Sequence, residues 1–272
     1  MRSVLPPWHP HIDVWLILGL VGVAYWYFNA RIRPHMRPMA PPPTTRQWLL
    51  FYTGLGLVWV VSDWPMHDLA ERSLYWVHMV DHMVITLVGP PLMLMGIARP
   101  LADRLFGHGA VLPWLRHLVH PVAAFAIFNF GMIATHWPQA VALSLRNDLA
   151  HFLMHAFLFL SAGLLWLPVV SPTPLLPRLR PPIRMLYLFA NSILPTVPAS
   201  FLTFSHVPLY PAYGDASLAF GLTPVEDQTI AGLIMKVGGT SLIWLVITVI
   251  WFRWASDERR WDEIEEDLRT PV

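Results

Sequence analysis

The chain contains no cysteine, and only 13% of its residues are charged. The absence of cysteine excludes disulfides, thiolate nucleophiles and every metal site built on cysteine sulfur. Any transition metal must therefore be bound by histidine, methionine or carboxylate groups. The charged fraction is about half of the roughly 25% that is typical of soluble domains, which is too little to cover a soluble surface. The net charge of +1 gives no general attraction for nucleic acid, so we expect no nucleic-acid partner.

Long apolar runs dominate what is present. Hydrophobic residues make up 55% of the 272 residues, and the mean hydropathy is +0.48. A helix that crosses a hydrocarbon core of about 30 Å needs roughly 20 mostly apolar residues. Seven runs approach or exceed this length, so we predict an all-α, polytopic membrane helix bundle of about seven transmembrane helices. The predicted spans cover about 12–29, 47–61, 74–97, 119–136, 149–170, 183–205 and 229–254.

The arginines are distributed unevenly between the two sides of this predicted bundle. Fourteen lie in the loops after the first, third and fifth spans or after the last span, and three lie on the opposite side. Because positive charge favours cytoplasmic loops, we expect the amino terminus outside and the carboxyl terminus in the cytoplasm. The membrane is expected to be the inner or plasma membrane.

The domain organisation that we predict is simple. Residues 1–255 form a single transmembrane helical domain, and residues 256–272 form a short charged cytoplasmic tail. The proline-rich segment 38–43 is predicted to be a stiff linker in polyproline II conformation. The amino terminus does not resemble a cleavable signal peptide, so we interpret the first span as retained.

Two histidine pairs lie at one depth in two of the predicted spans. His78 and His82 are four residues apart near the start of the third span, and His151 and His155 repeat this spacing in the fifth. Residues four apart share one helix face, and such a pair can place two imidazoles on one metal ion. At a rise of 1.5 Å per residue, each pair lies roughly 4 to 12 Å below the outer boundary. We therefore predict that the two pairs converge on one metal site.

Other potential ligands accompany the histidine pairs. Histidine with methionine and no cysteine favours copper, Cu(I) especially, and histidine alone also suits zinc. The histidines could instead only bridge helices by hydrogen bonds, and the methionines could only fill the core. Ionisable groups within spans are costly, however, and four matched histidines favour function. The candidate ligands are His78, His82, His151, His155, His136, Met79, Met83, Met235, Asp81 and Asp227.

Three segments of the chain resemble a known family. They are HMVDHMVITLVGPPLMLMG at 78–96, HFLMHAFLFLSAGLLWLPVVSP at 151–172 and EDQTIAGLIMKVGG at 226–239. In this order they are similar to the multi-span CtaG family of cytochrome c oxidase assembly factors. The resemblance implies a role in the maturation of haem–copper oxidase. It implies that the protein supplies copper to its partner, the catalytic subunit of the oxidase. Asp81 and Lys236 depart from the family pattern. The resemblance leads us to expect an amide in place of Asp81 and a larger apolar or aromatic residue in place of Lys236.

Three other functions match part of this pattern. The main alternative is a membrane-embedded metal-dependent hydrolase that uses the same histidines, with Asp81 or Asp227 as the base. A b-type cytochrome needs axial histidines several turns apart along each helix, whereas these pairs lie on one turn. A copper or proton transporter needs polar groups in the inner halves of the spans, which contain few. We therefore favour a metallochaperone or assembly factor, rather than an enzyme, that contacts the oxidase and the lipid bilayer.

Overall fold

The structure is a computed structural model that describes residues 6–36 and 40–269. Within these ranges the chain forms helices and connecting loops, without a strand. Arg2 and Arg37, which the charge comparison includes, lie outside the described residues. The same is true of residues 38–39 of the predicted linker and of residues 270–272 of the predicted tail.

Five helical segments of the described chain are long and apolar enough to cross a membrane, so the predicted helical membrane bundle is confirmed. They are Ile12–His35, Tyr75–Gly96, Asp148–Val170, Pro181–Phe204 and Pro224–Trp261. The number rises to seven if two bent helix pairs are each counted as one span: Thr45–Val61 with Met66–Arg72, and Leu112–Leu118 with Pro121–Thr135. The second and fourth predicted spans depend on these pairs because their main helices contain only 17 and 15 residues, short for a hydrocarbon core.

The described helices follow one another with short connections. The α-helices are α1 (Ile12–Tyr27), α2 (Thr45–Val61), α3 (Met66–Arg72), α4 (Tyr75–Met83), α5 (Gly89–Gly96), α6 (Arg99–Phe106), α7 (Leu112–Leu118), α8 (Pro121–Thr135), α9 (Pro138–Ser144), α10 (Asp148–Val170), α11 (Pro181–Ile193), α12 (Thr196–Phe204), α13 (Pro224–Leu233) and α14 (Gly239–Arg269). Three π-helical turns occupy Phe28–Ile32, Val84–Val88 and Ile234–Gly238, and 3₁₀ turns occupy Arg33–His35, Pro211–Tyr213 and Ala216–Phe220. The segment predicted as a separate tail continues α14 as far as Arg269.

The third predicted span is a helix with an internal break. The π-helical turn Val84–Val88 separates α4 from α5, and Pro90 follows in the first turn of α5. Because proline has no N–H, Pro90 cannot donate a hydrogen bond to the carbonyl of Thr86, four residues earlier. The indole Nε1 of Trp166 in α10 donates to this carbonyl instead, at 2.9 Å. The break thus fixes the α4–α5 segment to the helix that contains the second histidine pair.

Glycines allow α2 and α5 to pack closely. A Cβ atom on Gly54 would lie 2.9 Å from the carbonyl oxygen of Gly89, and one on Gly96 would lie 2.5 Å from the backbone nitrogen of Phe51. Only glycine permits such an approach of two backbones. The hydroxyl of Tyr25 in α1 donates to the Gly96 carbonyl at 2.9 Å, which adds α1 to the pair.

The interior of the bundle contains two large apolar clusters. One surrounds Trp166 and Leu188 and joins α8, α10, α11 and α14. The other surrounds Met79 and joins α4 to α8, α12 and α13 next to the histidines. Large apolar side chains also cover the outside, where Leu20 and Val122 are each 70% exposed. A surface of this kind suits contact with lipid.

Candidate metal centre

The histidines collect at one end of the bundle, which we call the histidine end. His78 is the fourth residue of α4, and His151 is the fourth residue of α10. His136 directly follows α8. The short helix α3, between α2 and α4, adds His67 and Glu71. Side chains from four helices therefore meet where several of those helices begin or end.

His78, His82 and His155 form the first group, which we call the histidine triad. One ring nitrogen from each lies within 4.8 Å of the other two. Nε2 of His82 is 3.4 Å from Nε2 of His155, the spacing of two ligands that each lie about 2.1 Å from one tetrahedral ion. His78 and His82 are buried, and within the described part of the chain Nδ1 of His78 has no hydrogen-bond partner. A metal ion among the three rings would satisfy these nitrogens.

His136 orients His82 rather than joining the triad. Nδ1 of His136 lies 2.7 Å from the carbonyl oxygen of Met132, which can only accept, so this nitrogen is the donor. In a neutral ring Nε2 of His136 is then an acceptor, and Nδ1 of His82 donates to it at 3.3 Å. The remaining nitrogen of His82, Nε2, keeps its lone pair and faces His155. A hydrogen bond of this kind fixes the tautomer that a metal-binding histidine needs.

The fourth histidine of the two pairs belongs to a different group. The structure brings three of the four predicted ligands into one group and places the fourth beside it: His151 lies with His67 and Glu71, and one ligand atom from each is within 4.8 Å of the others. The reason is the turn formed by α3, which directs His67 and Glu71 toward the first turn of α10. His151 lies one turn nearer the start of α10 than His155, so it meets α3 instead of α4. The i, i+4 spacing of His67 and Glu71 was the signal in the sequence that could have identified this group.

A small cavity adjoins the triad and is rich in methionine. It has a volume of about 40 Å³, and His82 and His136 line one part of it. Two of its wall positions lie at π-helical turns, since Met83 directly precedes Val84–Val88 and Met235 lies within Ile234–Gly238. Such turns are frequent at functional sites. The methionines in the wall are Met79, Met83, Met132 and Met235, and sequence analysis did not identify Met132.

Asp227 has a structural role in the described chain. Its carboxylate accepts hydrogen bonds from the backbone N–H groups of Tyr75 and Trp76, at 2.9 and 3.0 Å. A carboxylate at this position satisfies donors that have no partner within the helix and complements the positive end of the helix dipole. Asp227 therefore fixes the start of α4 and belongs to neither histidine group. Its carboxylate is already hydrogen-bonded, whereas the hydrolase alternative needs a carboxylate that is free to act as a base.

Asp81 and Lys236, the two departures from the family pattern, also lie outside both groups. Asp81 is 2% exposed, and neither oxygen of its carboxyl group has a hydrogen-bond partner among the described residues. Nζ of Lys236 lies 3.5 Å from the hydroxyl of Ser200 and 5.2 Å from the centre of the Phe204 ring. The lysine charge is therefore directed toward α12.

The loop between α12 and α13 covers the histidine end. The hydroxyl of Tyr210 donates to the His136 carbonyl at 2.6 Å, and that of Tyr213 donates to the Ala70 carbonyl at 3.0 Å. Burial, and next the negative charge of Glu71, raises the pKa of Tyr213 well above its usual value. The hydroxyl thus stays protonated and remains a donor. Through this hydrogen bond the loop holds Ala70, the neighbour of Glu71, in place.

Comparison with known proteins identifies the family of the chain. Residues 23–257 match the family model described as cytochrome c oxidase caa3 assembly factor, Caa3_CtaG. The match includes both histidine groups and the methionine-lined cavity. No curated protein and no solved structure matches the chain significantly. Since the matched residues cover most of the sequence, the chain belongs to the caa3-type cytochrome c oxidase assembly factor family, Caa3_CtaG.

Proposed function

We propose that this protein holds Cu(I) at the histidine triad and supplies it to the catalytic subunit of cytochrome c oxidase during assembly. The family supports a role in oxidase assembly. The observation behind the copper proposal is the convergence of His78, His82 and His155 with a buried, unpartnered nitrogen. Three neutral imidazoles bind Cu(I) without a strong negative field, and this suits a metal that must later be released.

The methionine-lined cavity favours copper over zinc as the cargo. Thioether sulfur is a soft ligand that selects Cu(I), whereas zinc gains little from it. Met79, Met83 and Met235 line the same cavity as His82, whose Nε2 faces the triad. The cavity therefore offers sulfur ligands directly beside the imidazole site.

The histidine end is proposed to face the outside of the cell's inner or plasma membrane. The excess of arginine in the loops at the other side supports this orientation. A site a few ångströms below the outer boundary is open to metal from outside. It is also accessible sideways to a partner in the same bilayer, which here is the oxidase subunit.

The test is oxidase activity in cells that produce the variant His78→Ala plus His82→Ala. We expect the variant to reach the membrane at the normal level but to lose oxidase activity, with partial rescue by added copper. The matched control is His108→Ala plus His120→Ala, which removes two exposed histidines outside the histidine end and should leave activity unchanged. Unchanged oxidase activity in the first variant, with a normal amount of protein, would contradict the proposal.

A further inference from the structure

We propose that His67, Glu71 and His151 form a second metal site, which binds a divalent first-row ion, Zn(II) or Cu(II). His151 was predicted to share a site with the triad, and the family description assigns no metal to α3. The binding of a divalent ion by this group does not depend on the proposed function.

The three ligand atoms are already arranged around a common point. Oε1 of Glu71 lies 2.9 Å from Nε2 of His151 and 3.3 Å from Nε2 of His67. Ligands that bind one tetrahedral ion at about 2.0 to 2.2 Å lie about 3.3 to 3.6 Å from one another. The observed separations are close to this range. Small shifts of the side chains would therefore admit an ion.

His151 supplies the observation that points to a ligand. The residue is only 7% exposed, and neither ring nitrogen makes a hydrogen bond with any residue that the structure describes. Its Nε2 lies near the Glu71 carboxylate without the alignment that a hydrogen bond requires. Burial of a polar atom without a hydrogen bond is unfavourable. A cation between the three side chains would satisfy this nitrogen and neutralise the carboxylate.

The ligand types distinguish this site from the triad. Two imidazoles and one carboxylate form a set that binds zinc with one coordination position left open. The carboxylate adds a negative charge and a hard oxygen, so it favours a divalent ion over Cu(I). The triad has neutral nitrogen ligands and adjoins thioethers. The two groups should therefore prefer different oxidation states.

An open cavity of about 700 Å³ connects the proposed site to the surface. His67, Glu71 and His151 line it, and so does His155 of the triad. The ring centres of His151 and His155 are 4.2 Å apart, so the two groups are adjacent. Near the start of α1, His9, His11 and Asp13 add polar groups to the same cavity. An ion from the surface can therefore reach the Glu71 group without passing through the buried triad.

The experiment measures Zn(II) and Cu(II) binding to the full-length chain, purified in detergent without a metal-affinity tag. The variant His78→Ala plus His82→Ala serves as the background, because it disables the triad. We expect this background to bind about one equivalent of either divalent ion in equilibrium dialysis. Addition of Glu71→Gln should lower the affinity at least about tenfold. His67→Ala, which removes an imidazole ligand of the same group, should have the same effect.

The matched control in this background is Asp148→Asn. Asp148 lines the same cavity as Glu71 but belongs to neither histidine group, so its substitution should leave divalent binding unchanged. The proposal is overturned if the background binds no divalent ion. It is also overturned if Glu71→Gln and Asp148→Asn bind divalent ions equally well, in which case the three side chains form only an ion pair.

A separate measurement distinguishes this proposal from the proposed function. In the otherwise unchanged chain, Glu71→Gln should leave Cu(I) affinity intact in competition with a colorimetric Cu(I) chelator, whereas His78→Ala plus His82→Ala should abolish Cu(I) binding. Loss of Cu(I) binding in Glu71→Gln would contradict the existence of two independent sites. Retention of Cu(I) binding in the double variant would contradict the assignment of copper to the triad alone.

Discussion

Individual side chains at the histidine end differ in what they do, although several have the same residue type. His82 faces His155 with one ring nitrogen and donates to His136 with the other. His136 in turn donates to a backbone carbonyl. These contacts give His82 one defined tautomer, with a lone pair directed into the triad. The chain of hydrogen bonds therefore prepares a ligand before any ion is bound.

Substitution of His136 tests this orienting role. His136→Ala should weaken Cu(I) binding about 10- to 100-fold, because His82 loses the acceptor that fixes its tautomer. His136→Gln should recover part of the affinity, since its amide oxygen can accept the same hydrogen bond. Chelator competition measures both values, and the exposed His120→Ala is the control. Equal affinities of the alanine and glutamine variants would show that His136 does not act through this hydrogen bond.

The i, i+4 spacing in the sequence identified most of the residues that the structure brings together. A shared helix face follows from the helical period alone, and this was enough to place His78 and His82 side by side. The period does not specify which neighbouring helix faces a given turn. That information comes from packing, and for this reason His151 was assigned to the triad and Met132 was not identified. His67 and Glu71 have the same spacing but were not identified, because their helix, Met66–Arg72, lies between two predicted spans.

At the level of helices, close packing of α2 on α5 positions the second half of the α4–α5 segment. Gly54 and Gly56 lie two residues apart on α2 but differ in their surroundings. A Cβ on Gly54 would collide with the α5 backbone, whereas a Cβ on Gly56 would meet nothing within 4 Å. The two glycines therefore form a matched pair in one helix.

The pair gives a direct test of this helix contact. Gly54→Ala should destabilise the protein by about 1 to 3 kcal/mol, because the added methyl group forces α2 away from α5. Gly56→Ala should be neutral or should stabilise by up to about 1 kcal/mol, since alanine has the higher helix propensity. Thermal unfolding in detergent measures both. If Gly54→Ala were as stable as Gly56→Ala, the close contact between these helices would be wrong.

The helical spans were largely predictable, because the length of an apolar run follows from the thickness of the membrane. The breaks within the helices were less predictable. The break at Pro90 follows from the proline itself, but the Trp166 hydrogen bond that satisfies the Thr86 carbonyl depends on a residue 80 positions away. The main helices of the second and fourth spans are too short to cross a membrane alone. Asp63 and Pro65 interrupt one apolar run, and His120 and Pro121 interrupt the other. Such interruptions leave the direction of the following helix to tertiary packing.

At the level of the whole molecule, the long apolar helices and the family membership agree on a membrane protein. The family match and the membrane-spanning helices were both expected from the sequence. The orientation of the bundle remains a prediction from the arginine distribution. It determines whether the histidine end meets metal outside the cell or in the cytoplasm.

Reporter fusions test the orientation. A reporter that is active only outside the cytoplasm should work when fused after Asp68, at the histidine end. The same reporter should be silent when fused after Arg104, which lies in α6, because that loop belongs to the arginine-rich side. The opposite pattern of activity would place the histidine groups on the cytoplasmic side and would exclude metal capture from outside.

The methionine-lined cavity has a consequence for oxidative damage. Addition of one oxygen atom to a thioether gives a sulfoxide, which is polar, larger and a hard donor. In a cavity of about 40 Å³ among Met79, Met83, Met132 and Met235, such a group crowds its neighbours and removes the preference for Cu(I). Because the chain has no cysteine, disulfide formation cannot inactivate the site. Peroxide stress would therefore act on this protein through its methionines, and methionine sulfoxide reductase would be the enzyme able to restore it.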